Sequence, residues 1–96
     1  MAKKLTKEAK VRSDNIRSLW CLVCGNPECA WHHVIGHGYS AMGMKAPDDM
    51  TFGLCNKDHM DLHDHGWRAW EEKHGKTQLE YVAIQNELLD LMGMVS

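Results

Sequence analysis

The sequence predicts a small α+β domain stapled by zinc. Ninety-six residues make one domain with too little core to be comfortable without a staple. Cys21-x2-Cys24 and the later Cys55 put three thiols at metal-ligand spacing. Two short strand-like runs, AWHHV and MTFGLC, alternate with segments that carry helix starts and stops. With 44% hydrophobic residues the chain is globular rather than disordered.

Residues 1–19 read as a basic N-terminal helical arm. Lys3, Lys4, Lys7, Lys10, Arg12 and Arg17 outnumber Glu8 and Asp14 there, while Leu5, Ala9, Ile16 and Leu19 supply an apolar face. The net charge is −2, so the remainder is acidic and a general nucleic-acid coat is excluded. The arm suits contact with phosphates, and equally an ordinary solvated helix face.

The core runs over residues 20–75. CLVCGNPEC is a turn with a glycine knuckle, followed by a strand ending near Val34. GHGYSAMGMKAPDD, with its glycines and proline, is a loop, and MTFGLC is the second strand. NKDHMDLHDH is a helix ended by Gly66, and WRAWEEKHG a shorter one ended by Gly75. Residues 76–96 form the last helix, capped by Thr77 with Glu80 three residues on, as in a capping box. It carries two apolar stripes: Leu79, Val82 and Leu89, and Tyr81, Ile84, Leu88 and Leu91. One stripe predicts the domain core as partner, the other a second copy in a homodimer.

No run approaches the roughly 20 apolar residues of a membrane span. The charged start MAKKLTKEAK does not read as a signal peptide. The expected compartment is the cytoplasm, where disulfides are rare and clustered Cys and His hold metal. Cys21, Cys24 and Cys55 are therefore read as ligands of a structural zinc. Asp58, three residues after Cys55, stands where a fourth ligand is expected, with Cys29 and His59 as alternatives. Cys29 equally suits a small buried apolar position.

The histidines need a separate account. His59 and His63 lie one helical turn apart and present two imidazoles to one point. With His32 as third ligand, its neighbour His33 stays unligated and free to take a proton from water. Trp67 and Trp70 read as core, with base stacking as the functional alternative. Trp31 reads as core and Met42, Met44 and Met50 as gap fillers. His65 and His74 receive no role.

His32-His33, then DDMTFGLC, then Cys55-x3-His59-x3-His63 resembles the HNH, or ββα-metal, nuclease family. GHG, MGMKAPDD, LCNKDHMDLH and AWEEKHG are similar to small phage and prophage HNH proteins. The RecA-dependent recombination-enhancement nuclease Ref is a more distant relative within that circle. The likeness covers about residues 20–75. It implies a treble-clef-like ββα-metal core with flanking helices, and an endonuclease hydrolysing DNA phosphodiester bonds in recombination or replication. It further implies a bacterial host cell, DNA as partner, and a recombinase filament as a further candidate. His32, His59 and His63 would hold a catalytic divalent metal (Mg²⁺, Mn²⁺, Ni²⁺ or Zn²⁺), and His33 would be the general base. Cys21, Cys24, Cys55 and Asp58 would hold the structural zinc, and His37 and Lys45 would approach the phosphate. The family's middle Asn falls on Met50, which leaves its hydrogen bond to Asp49 or to nothing. The competing expectation is a zinc module without enzymatic activity that binds DNA or a protein.

Overall fold

Four helices surround a two-stranded antiparallel sheet in the computed structural model, which describes residues 6–38 and 46–94. The order is α1 (Lys7–Arg17), β1 (Ala30–His33), β2 (Thr51–Leu54), α2 (Asn56–His65), α3 (Trp67–His74) and α4 (Gln78–Leu91). The protein is thus a mixed α+β fold, as its sequence predicts. No described helix is long and apolar enough to cross a membrane.

The Thr6 hydroxyl starts α1 by accepting the Ala9 N–H at 3.1 Å. The helix then turns Ala9, Arg12, Ser13 and Ile16 inward, a single face at helical spacing. Arg12 departs from both readings of the basic segment, phosphate contact and a solvated face, because it is buried. Its guanidinium donates to Thr51 Oγ1, Thr51 O and Asn86 Oδ1, each at 2.7 Å, and so ties α1 to β2 and α4. Burial lowers its pKa, with Asp49 acting in the opposite sense. Lys7, Lys10 and Arg17 remain exposed.

β1 and β2 pair in the register Ala30↔Leu54, Trp31↔Gly53, His32↔Phe52 and His33↔Thr51. Alternation along β1 sends His32 and His33 to opposite faces. All four residues of β2 are buried. One core gathers Phe52, Leu54, Leu62, Trp70, Tyr81 and Val82, with the two cysteines Cys21 and Cys55 inside it. A smaller one joins Ile16 and Leu19 to Leu89. Trp70 is fully buried, and Met50 and Trp67 pack against the larger core.

Helix α4 carries the expected capping box on Thr77 and Glu80. Its buried stripe, however, is Gln78, Tyr81, Val82, Gln85 and Leu89. Two glutamines lie inside because each meets main-chain groups left unpaired by the sheet, Gln85 on β2 and Gln78 on Ile35 just past β1. Gln85 Oε1 accepts the Gly53 N–H at 2.9 Å. Leu79 from one predicted stripe and Ile84 and Leu91 from the other are left outward at 36%, 38% and 78% exposure, so neither stripe is buried whole and the two-stripe expectation is corrected.

Candidate metal centres

Cys21 and Cys24 stand on a tight turn closed by the Gly25 N–H on Cys21 O at 2.8 Å. Gly25 has φ 79, a left-handed conformation that favours glycine. Cys55 is the N-cap of α2 and Asp58 lies in its first turn. The helix dipole therefore favours negative charge on both. The ligand atoms of Cys21, Cys24, Cys55 and Asp58 all lie within 4.8 Å of one another. Cys24 Sγ is 3.6 Å from Cys55 Sγ, and Asp58 Oδ2 is 3.3 Å from Cys21 Sγ and 3.1 Å from Cys55 Sγ. Tetrahedral zinc at ordinary bond lengths would set such edges at about 3.8 Å between sulfurs and about 3.5 Å from sulfur to oxygen. The donor set fits a structural metal ion.

The site's protonation is that of thiols around a carboxylate. Burial is the main cause that pushes Cys55 up to about 12, and burial also raises Cys21. Burial works to raise Asp58 as well, but hydrogen bonds from Cys55, Cys24 and Cys21 outweigh it and hold the carboxyl below its ordinary value. A metal ion must displace the thiol protons, so its affinity falls with acid. Of the three candidates for fourth ligand, geometry selects Asp58. Cys29 instead points its Sγ at Ile16 O, 3.3 Å away, and His59 turns to another histidine.

On the outer side of α2, His59 Nε2 and His63 Nε2 are 2.9 Å apart. A cation at about 2.05 Å from both nitrogens needs them about 2.9 Å apart at a right angle and about 3.3 Å at the tetrahedral angle. His32, buried on β1, meets His59 edge-on with ring centroids 5.0 Å apart. The three imidazoles gather without closing. Among the described residues, the set drawn within 4.8 Å is that of the three cysteines and Asp58.

Burial is the main cause that lowers His32 to about 4, and His59 is lowered for the same reason. His32 is thus neutral when folded at pH 7 and ordinary, near 6.5, when unfolded. A depressed histidine stabilises the fold above its unfolded pKa, and that stability is lost as pH falls toward 4. Between pH 7 and 5 the wild type should therefore lose about 2 kcal/mol more than His32→Asn in urea unfolding. Both proteins keep the thiol site, so its acid loss cancels. Equal acid sensitivity of the two would refute a buried neutral imidazole.

His33 shares its strand face with Trp31, ring centroids 4.4 Å apart. Its Nε2 lies 2.9 Å from Asp48 Oδ1. The carboxylate that engages this histidine is Asp48, for which the sequence reading held no role. Asp49 acts on Arg12. His33 thus contacts Trp31 and Asp48, whereas its neighbour His32 contacts Phe52 and His59. His37, at φ 53, has its Nε2 2.6 Å from Glu71 Oε2 and rests on Trp67. A Cβ at the neighbouring Gly36 would run into the Trp67 ring. Lys45, Met42 and Met44 lie outside the described residues. His65 pairs with Asp61 at 3.0 Å, and His74 Nε2 is buried without a hydrogen-bond partner among the described residues.

A family model described as "Protein of unknown function (DUF968)" matches residues 3–91. The chain belongs to the DUF968 family. The match takes in α1 along with both candidate centres, so the N-terminal segment is part of what DUF968 chains share. Over 62 residues this DUF968 chain is 45% identical to "Uncharacterized protein YdfU" of Escherichia coli (strain K12). That stretch is 65% of this chain and 17% of the relative. The chain thus spans less than a fifth of the length of that protein. No solved structure matches it.

Proposed function

We propose that the chain is a metal-dependent endonuclease of the HNH, ββα-metal type, acting on DNA phosphodiester bonds. The observation that carries this reading is the His59–His63 pair, Nε2 atoms 2.9 Å apart, with His32 against it. Beside His32 in the chain stands His33, held by a carboxylate. A divalent cation on His32, His59 and His63 would neutralise charge on the scissile phosphate and the leaving 3′ oxygen. Asp48, as a carboxylate, accepts from His33 Nε2–H and so leaves Nδ1 with the free lone pair. Nδ1 takes the proton of the attacking water, the new oxygen–phosphorus bond forms, and the bond to the 3′ oxygen breaks. Nothing in this chemistry reads base sequence, and the exposed Lys7, Lys10 and Arg17 suit contact with the backbone. Phage or prophage recombination or replication in a bacterial cytoplasm, alongside a recombinase filament, is the setting this reading implies.

Purified protein should nick supercoiled plasmid when Mg²⁺ or Mn²⁺ is added and not in chelator. Absence of nicking under every divalent metal, with one zinc still bound, would leave the second reading, a zinc module without enzymatic activity. That reading is favoured by one observation: the cysteine set closes on a point while the imidazoles do not. In either reading the outward Ile84 and Leu91, seven residues apart on one face of α4, suit contact with a twofold copy of the chain. Light scattering should then give a dimer mass, and a monomer at high concentration would end that idea.

A further inference from the structure

Gln78 is fully buried at the start of α4, and both ends of its amide are committed. Oε1 accepts the Ile35 N–H at 3.0 Å, and Nε2 donates to Ile35 O at 2.7 Å and to Glu71 Oε2 at 3.1 Å. Ile35 offers one backbone donor and one backbone acceptor, so a flipped amide would set N–H against N–H and oxygen against oxygen. Oε1 is therefore an acceptor on every side. The atom of His32 facing it, 3.1 Å away, is Nε2, which must carry the hydrogen. We propose that Gln78 is a positioning residue that holds His32 in its Nε2–H tautomer and leaves Nδ1 as the nitrogen that binds a metal ion.

The tautomer follows from hydrogen bonds alone. The ligand half rests on the reading of His32, His59 and His63 as a metal site. Glu71 extends the chain of contacts: its Oε2 also accepts the Gln78 main-chain N–H at 3.0 Å and faces His37 Nε2 at 2.6 Å. Three donors on one carboxylate oxygen fix the start of α4 in place. Partners of this kind set which imidazole nitrogen is free and how the ring is aimed.

Two-bond nitrogen–proton spectra of histidine-labelled protein, zinc-loaded at the thiol site and held at pH 8, test the assignment. His32 should be a single Nε2–H tautomer with a slowly exchanging proton. One further equivalent of Zn²⁺ should move His32 Nδ1 and leave its Nε2 proton in place. Gln78→Leu should release the tautomer and weaken this second zinc by about 10- to 100-fold, while His59 and His63 still respond. Should that variant not fold, the wild-type spectrum decides: Nδ1–H, or exchange between tautomers, overturns the proposal. Zinc that shifts His59 and His63 but not His32 Nδ1, or that displaces the Nε2 proton, also overturns it and leaves the endonuclease reading standing. Zinc that moves no imidazole overturns both.

Discussion

Stripping the metal with a strong chelator is expected to unfold the domain, as is Cys55→Ser or Cys21→Ser. Both sulfurs are buried, at 1% and 0% exposure, inside the larger core rather than on its rim. They join the knuckle before β1 to the first turn of α2. Binding of a structural zinc is worth about 10–16 kcal/mol at neutral pH, of the order of the whole stability of a small domain. Cys29→Ser is the control, since its thiol bonds the Ile16 carbonyl and stands outside the set. It should cost about 1 kcal/mol or less. Circular dichroism against temperature, with zinc counted per chain, reads the result. A metal-free protein that melts where the loaded one does would remove the structural zinc.

Replacing His33 by alanine is expected to lower plasmid nicking by about 10²- to 10⁴-fold, the contribution of a positioned general base. Metal content and melting should hold, because the ring is half-buried beside Trp31 and Asp48 and takes no part in the His59–His63 pair. Asp48→Asn should produce a smaller loss, since the amide still holds the ring but no longer favours the charged imidazolium. His59→Ala or His63→Ala should lose the second metal together with activity. Nicking by His33→Ala at the wild-type rate would sink the catalytic assignment. An equal loss of bound metal in His33→Ala would make it a ligand instead.

Every helix and strand was legible in the sequence because each is announced by local chemistry. Thr77 and Glu80 form the capping box their spacing predicts, Gly66 and Gly75 follow the last residues of α2 and α3, and β1 ends one residue before Val34. The pairing of His59 with His63 was legible for the same reason, since residues four apart on a helix face each other. Arg12, Gln78 and Gln85 were not. Each is polar, so hydropathy placed Arg12 in a basic arm and passed over both glutamines. Each is buried to satisfy a backbone group that no local pattern reveals: Thr51 O, the Ile35 N–H and O, and the Gly53 N–H.

The sequence by itself therefore determined the α+β class, the element order and the residue types available to hold a metal. Those rest on contacts between residues a few positions apart. Only the tertiary structure decided that Asp58 rather than Cys29 or His59 completes the thiol set, that Asp48 faces His33, and that Gln78 holds His32. Each choice depends on where chain segments tens of residues apart come to lie. A carboxylate or amide one position off along the chain points several ångströms elsewhere, and spacing in the sequence carries no record of that direction.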